Sequence, residues 1–100
     1  DFLAPRVIGA TILDNCFTVP TSSLEVSAHL SGTRGTLRYW QETGTGKFNF
    51  LQVFTPPYGT SVALEPMTCN VDAFNNGDGL VTLAPGATLQ AKAGVVYEVE

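Results

Sequence analysis

The sequence has few charged residues and no excess of basic ones. Charged side chains make up 14% of the 100 residues, and the formal net charge is −4 at pH 7. Soluble proteins average about 25% charged residues, so we expect part of this weakly charged surface to contact more protein. A net negative charge argues against binding to a nucleic-acid backbone. No apolar run approaches the roughly 20 residues that a membrane-spanning helix needs.

Cysteine and histidine are also scarce. Cys16 and Cys69 are the only cysteines, and their spacing matches neither a disulfide framework nor a zinc site. They predict either two buried thiols or one bridge, with the cytoplasm as the default location. The only histidine, His29, lies on the polar side of an alternating segment, which is typical of an exposed surface residue. A general acid or a metal ligand is the alternative role for His29.

The length and the first residue bear on domain organisation. One hundred residues suffice for one domain with a modest core, so residues 1–100 are expected to form a single domain. Because the chain begins at Asp1 rather than at a methionine, we expect it to be either processed or part of something longer.

Strand patterns fill most of the chain. In Leu24–Leu30 the even positions are apolar and the odd positions polar, which predicts a strand with one buried face. Gly and Pro recur about every 8–12 residues, as in all-β sandwiches and barrels. Further strands are expected at residues 11–18, 36–42, 48–55, 61–68, 80–83 and 88–99, with a loop or a single helical turn at 72–79.

Two familiar ligand-binding motifs are incomplete. The segment Gly44–Lys47 ends like a phosphate-binding loop, but Gln41 stands where that motif needs glycine, and a strand pattern follows. Residues 72–77 only faintly resemble a calcium loop, because Phe74 and Leu83 stand where oxygen ligands are required. Neither segment is expected to bind its ligand, and no Ser-His-Asp triad is visible.

Two carboxylates stand in apolar surroundings. Glu65 lies within Val62–Met67, which predicts partial burial, and a buried carboxylate needs a partner. Strand alternation places Glu65 and Leu64 on opposite faces of the same strand, so Glu65 could face a polar cavity instead of the core. Pro66 beside it indicates a strand end or an edge. Asp14 has similar neighbours, and either carboxylate could simply accept hydrogen bonds from backbone amides at a turn or strand end.

Six segments of the chain form a recognisable series. They are Pro5–Gly9, Leu13–Thr18, Leu51–Pro57, Val62–Cys69, Asp72–Asn75 and Leu83–Gly86. In this order they resemble the C-terminal part of the aldose 1-epimerases, or galactose mutarotases. Members of that family are considerably longer. The resemblance therefore implies that this chain is a C-terminal portion, completed by a missing N-terminal portion or by a partner chain.

The resemblance implies a specific reaction and specific residues. The family interconverts the α and β anomers of free aldoses such as galactose and glucose, on a large antiparallel β-sandwich and without a metal or organic cofactor. By position in the matched segments, Glu65 corresponds to the catalytic base, and Asp14 and Gln52 correspond to sugar-binding residues. Mutarotation needs a base at the anomeric hydroxyl and an acid at the ring oxygen, so a carboxylate is a suitable base. A glutamine amide both donates and accepts, as a sugar hydroxyl does.

The general acid is the part that the resemblance does not supply. In the family it is a histidine upstream of these segments, and His29 lies in none of them. We therefore expect little or no mutarotase activity from this chain alone. Phe17 and Phe74 could stack on a sugar, although core packing is the favoured expectation. A non-catalytic carbohydrate-binding β-module, a glycosidase with a carboxylate pair and an accessory β-domain of a larger enzyme remain as alternatives.

Overall fold

The computed structural model describes residues 7–57 and 61–99. Within these ranges the elements are β1 (Asp14–Thr18), β2 (Glu25–Gly32), β3 (Gly35–Glu42), β4 (Phe50–Phe54), β5 (Ala63–Met67), the helical turn α1 (Ala73–Asn76) and β6 (Ala93–Val99). The strands form two antiparallel sheets of three strands each, a first sheet ordered β1-β4-β5 and a second sheet ordered β2-β3-β6. The all-β, sandwich-like architecture expected from the sequence is confirmed.

The two sheets meet through their apolar faces. Leu37 and Tyr39 of the second sheet and Leu64 and Pro66 of the first sheet line the same cleft of about 360 Å³. Because side chains alternate along a strand, these residues define the inner face of each sheet and leave the intervening positions on an outer face. Glu65 lies between Leu64 and Pro66 and therefore projects from the outer face of the first sheet.

A buried glutamine connects the sheets by hydrogen bonds. Gln41 is fully buried on β3 and accepts a hydrogen bond of 2.6 Å from the Tyr39 hydroxyl. Its Nε2 donates to the carbonyls of Phe48 and Phe50 at 2.9 and 3.1 Å. A buried amide is destabilising unless its donors and acceptors are paired. These contacts satisfy the Gln41 amide and hold the start of β4 against the second sheet.

Some sequence expectations are confirmed and others are wrong. Of the strand expected at 88–99, only Ala93–Val99 forms. Residues 72–79 contain the single helical turn α1, as expected, and it ends at Gly77 with a φ of 71°. Residues 80–83 are not a strand. Leu80 and Leu83 are exposed, and the Leu80 amide donates to the Gly77 carbonyl in a local turn instead of pairing with another strand. An apolar run between a glycine turn and Pro85 therefore forms no sheet here, because it meets no strand edge.

One of the matched segments is described only in part. Pro5 and Arg6, which begin it, lie outside the described residues. In the part of the chain that the structure describes, no helix is long and apolar enough to cross a membrane.

Candidate functional site

The three residues singled out by the resemblance lie on the three adjacent strands of the first sheet. Gln52 on the central strand β4 is directly opposite Cys16 of β1 on one side and Glu65 of β5 on the other. Asp14 is two residues before Cys16 and therefore shares its face. Asp14, Gln52 and Glu65 thus project from the outer face of one sheet, although 51 positions separate the first from the last.

Asp14 and Gln52 are joined directly. The Nε2 of Gln52 donates a hydrogen bond of 2.7 Å to Oδ1 of Asp14. The backbone next to Asp14 is also held, because the Leu13 amide donates to Oγ1 of Thr55 at 2.7 Å and the Leu13 carbonyl accepts from the Thr55 amide at 2.8 Å. Both Leu13 and Thr55 are buried. A rigid strand pair therefore positions the carboxylate, as a preorganised binding group requires.

The amide of Gln52 has one defined orientation. Its Oε1 is buried and has no hydrogen-bond partner among the described residues. Exchanging the amide oxygen and nitrogen would point the oxygen at the Asp14 carboxylate, so the contact with Asp14 determines the assignment. In this orientation two groups have no partner in the described part of the chain. They are the second N–H of Gln52, which is a donor, and Oδ2 of Asp14, which is an acceptor.

The expected burial of Glu65 is wrong. The side chain is exposed, and its carboxylate has neither a hydrogen bond nor an ion pair with any described residue. The reason is geometric: β5 is an edge strand of the first sheet, and its apolar neighbours Leu64 and Pro66 face the cleft between the sheets. The apolar neighbours of Glu65 therefore project from the inner face, and Glu65 itself projects into solvent from the outer face. A free, solvent-accessible carboxylate is able to accept a proton.

The loop after β5 folds back over the outer face beside these residues. A Cβ built on Gly79 would lie 2.5 Å from the Phe50 ring and 3.3 Å from the Cα of Cys69, so the loop packs closely on β4. Farther along, the backbone N–H of Val71 donates to Oδ1 of Asn70 at 2.8 Å. Burial is the largest cause that raises the pKa of Cys16. Sequence analysis did not associate Cys16 with the site, although its position two residues after Asp14 places it on the same face.

The two aromatic candidates behave differently. Phe74 on α1 is 94% exposed, so the expectation that it packs in the core is wrong. The buried residue of that turn is Ala73, which takes the inward position and leaves Phe74 in solvent. Phe17 on β1 is half-buried.

His29 lies away from this site. It is exposed on β2, opposite Arg38 of β3, as expected for a surface histidine. Its neighbour Leu30 lines the cleft between the sheets, so His29 projects from the outer face of the second sheet. His29 and Glu65 therefore lie on different sheets, each on the face turned away from the cleft. Among the described residues no group of three or more His, Cys, Asp or Glu could hold a metal ion.

A second groove lies near the incomplete phosphate loop. It has a volume of about 580 Å³ and runs between residues 45–47 and 88–90. The Nζ of Lys47 donates to the Gln90 carbonyl at 2.7 Å and lies 3.5 Å from Oε1 of Glu42. The lysine is therefore engaged by the protein itself, and the turn leads into a strand rather than the helix that a phosphate loop needs.

Comparison with known proteins leaves the family open. No protein-family model, no curated protein and no solved structure matches this chain.

Proposed function

We propose that this chain carries the base and part of the sugar-binding site of an aldose 1-epimerase, an isomerase that interconverts the anomers of free aldohexoses. The observation that carries the proposal is the arrangement of an Asp14–Gln52 pair beside an unpaired Glu65 carboxylate on one accessible face. The resemblance implies that these three residues from distant parts of the chain act in one reaction, and they lie on adjacent strands of the same sheet.

The available hydrogen-bonding groups suit a sugar hydroxyl. Such a hydroxyl can donate to Oδ2 of Asp14 while it accepts from the second N–H of Gln52. Charge-assisted hydrogen bonds of this kind are the stronger ones in proteins. Glu65, which is directly opposite Gln52 on the neighbouring strand, then removes the proton from the anomeric hydroxyl. The ring opens, the C1–C2 bond rotates, and the ring closes on the other face of the carbonyl.

The charge around the site favours a neutral substrate. Asp14 and Glu65 are both acidic, and the described ion pair of the chain, Lys47 with Glu42, involves β3 and the turn after it. Phosphorylated sugars are commonly bound through arginine or lysine, so an acidic face disfavours them. The proposed substrate is therefore a free aldohexose, and the proposed location is the cytoplasm.

The remaining catalytic group must come from elsewhere. Mutarotation needs an acid at the ring oxygen, and His29 lies on the other sheet, on the face turned away from the cleft. We propose that an N-terminal portion of a longer chain, or a partner chain, supplies this acid. The chain alone should then have little activity, and a small diffusible acid should partly replace the missing group.

The test is polarimetry on freshly dissolved α-galactose with imidazole as the added acid. The chain without imidazole should barely exceed the buffer rate. With imidazole it should accelerate mutarotation about tenfold or more over imidazole alone, because positioned proton transfer contributes at least that much. Glu65→Gln should abolish this increment. Glu25→Gln is the matched control, since Glu25 is an exposed carboxylate on the second sheet.

Two results would contradict the proposal in different ways. If Glu65→Gln keeps the full imidazole-dependent increment, Glu65 is not the base. If the chain without imidazole is fully active and loses that activity in Glu65→Gln, the chain is complete and no partner supplies the acid.

The second candidate is a non-catalytic carbohydrate-binding module. The position of His29 favours it, because the described residues offer the site hydrogen-bonding groups but no histidine acid. Such a module would bind galactose with the same affinity before and after the Glu65→Gln substitution. Asp14→Ala would weaken binding, and no rate increment would appear with imidazole.

A further inference from the structure

The backbone groups of the edge strand β6 alternate in direction. The Glu42 amide donates to the Lys92 carbonyl at 2.9 Å, which continues the register between β3 and β6. Hydrogen-bonded and non-hydrogen-bonded residue pairs alternate along an antiparallel ladder, so the even-numbered residues of β6 direct their N–H and C=O at β3. A Cβ built on Gly35 would collide with the carbonyl oxygen of Glu98, which agrees with this direction. The odd-numbered residues therefore direct their backbone groups at the free edge: Ala93, Val95, Tyr97 and Val99.

The same odd-numbered residues carry exposed apolar side chains. Val95 is directly opposite Tyr39, which lines the cleft between the sheets. Tyr97 is likewise opposite Leu37, so both project from the inner face of the second sheet. Even so, Val95 is 62%, Tyr97 54% and Val99 75% exposed. The first sheet leaves this part of the inner face uncovered, and one row of residues combines open backbone groups with exposed apolar side chains.

The strand β6 also lacks the features that keep sheet edges apart. Edge strands in natural proteins are protected by charged side chains, prolines or bulges. In Ala93–Val99, Glu98 is the only charged residue, and there is no proline. The edge strand β5 of the first sheet contains Pro66, and the opposite edge strand β2 exposes Glu25 and His29. The edge of β6 is therefore open to another strand.

We propose that β6 pairs antiparallel with β6 of a second copy of this chain, which joins the two second sheets into one six-stranded sheet. A twofold axis beside Val96 uses the whole strand. Val95 is then opposite Tyr97 of the second copy, so the outward-directed backbone groups of the two strands meet. On the outer face Glu98 is opposite Gly94 of the second copy. Apolar side chains thus become cross-strand neighbours, and no like charges are directly opposed.

The surface area favours a second copy as the occupant of this edge. The accessible area of the chain is 7194 Å², whereas about 5500 Å² is usual for its mass. The excess is larger than the roughly 800 Å² that each partner buries in an interface of standard size. A second copy also brings an edge of the same length with its open backbone groups at the same alternate positions.

This interface goes beyond the proposed epimerase function. Asp14, Gln52 and Glu65 belong to the first sheet, so the pairing of β6 uses none of them. The tests below contain no sugar. They therefore succeed or fail independently of the proposed reaction.

Amide hydrogen exchange of the unsubstituted chain tests the pairing. It is followed by NMR at low and high protein concentration, and sedimentation equilibrium gives the paired fraction of the same samples. At low concentration the amides of Val95 and Tyr97 should exchange quickly. When nine-tenths of the chains are paired, their exchange should slow about tenfold, because it then requires the free monomer.

The other edge of the same sheet supplies the control. The Thr43 amide donates to the Leu24 carbonyl at 3.1 Å. By the same alternation, the amides of Ser27 and His29 point to the free edge of β2. These two amides should exchange equally quickly at both concentrations.

Introduced cysteines test the register. Val96 lies at the proposed axis in a non-hydrogen-bonded pair, where the two Cα atoms are about 4.5 Å apart. That separation suits a disulfide. Glu98→Cys is the matched control, because position 98 is on the same face but is displaced from its copy by four residues, or about 13 Å. After mild oxidation, peptide mapping should find a disulfide between the two introduced cysteines in Val96→Cys and not in Glu98→Cys.

Three outcomes would overturn the inference. A monomer at every concentration would show that the edge binds no second copy. Association without slower exchange at Val95 and Tyr97 would indicate stacking of apolar faces instead of strand pairing. Equal disulfide formation in Val96→Cys and Glu98→Cys would contradict the twofold register.

Discussion

Two glutamines on neighbouring sheets show how differently one residue type is used. Gln41 has both ends of its amide paired, with Tyr39 and with two backbone carbonyls. Gln52 has one contact, to Asp14, and a buried oxygen without a partner among the described residues. An unpaired buried acceptor destabilises a protein by about 1–3 kcal/mol. The first arrangement serves the fold, whereas the second leaves part of a buried amide without a partner in the described residues.

Tyr39 makes stability depend on alkaline pH. Burial raises the pKa of its hydroxyl to about 12. An unfolded tyrosine loses its proton near pH 10, so between about pH 10 and pH 12 the folded state binds more protons than the unfolded state. The contribution of this group is therefore fully present below about pH 10 and is lost as the pH rises toward 12.

Urea unfolding across this pH range measures the effect. Tyr39→Phe should be less stable at neutral pH, because Oε1 of Gln41 loses its donor, but it should show a smaller further loss between about pH 10 and pH 12. Tyr97→Phe is the control at an exposed tyrosine. Equal alkaline losses in Tyr39→Phe and the unsubstituted chain would contradict the assignment.

At the scale of elements, the pairing between β3 and β6 depends on one glycine. Gly94 of β6 is directly opposite Trp40 of β3. A Cβ on Gly94 would lie 2.8 Å from Nε1 of Trp40 and 2.9 Å from two of its ring carbons. The indole thus occupies the space over the glycine, an arrangement that also occurs in designed sheets.

Gly94→Ala should weaken this strand pair. We expect a loss of about 1–3 kcal/mol in the free energy of unfolding, because the indole must leave its position or the strands must separate. Gly32→Ala is the matched control: Gly32 ends β2, and a Cβ there would meet nothing within 4 Å. The two variants are compared by urea unfolding. A Gly94→Ala chain as stable as Gly32→Ala would show that Trp40 moves freely.

At the scale of the whole molecule, the chain exposes more surface than a compact monomer of its size. Its accessible area is 7194 Å², whereas about 5500 Å² is usual for this mass. Its radius of gyration is 15.1 Å, against about 13 Å for a compact domain of 100 residues. Much of the exposed apolar surface is on β6, where Val95 is 62% and Val99 75% exposed. This exposed apolar surface agrees with the low charge content, from which we expect part of the surface to contact more protein.

This surface predicts self-association of the isolated chain. Exposed apolar residues on an edge strand promote pairing between molecules. The weight-average mass from light scattering should therefore rise with protein concentration. Val95→Lys should reduce that rise, whereas Ser27→Lys, an exposed position on β2, should not. A constant monomer mass over the whole range, for all three chains, would contradict the prediction.

Strand positions were largely predictable because the signals are local. Two local signals predict most strands to within a few residues: the alternation in Leu24–Leu30 and the turns at Gly and Pro. They also predict a loop or a single helical turn at 72–79. The run at 80–83 failed because a strand also needs a neighbouring edge, which its own residues do not encode. Phe74 failed for a related reason: hydrophobic character does not specify which way a one-turn helix faces.

The sequence by itself determined the fold class and the alternation that directs Glu65 away from Leu64. Only the tertiary structure decided that Asp14, Gln52 and Glu65 share one face, that Glu65 is exposed, and that His29 belongs to the other sheet. The physical reason is that period-two patterns fix a face within one strand. Which strands become neighbours depends on long-range pairing and on packing between sheets.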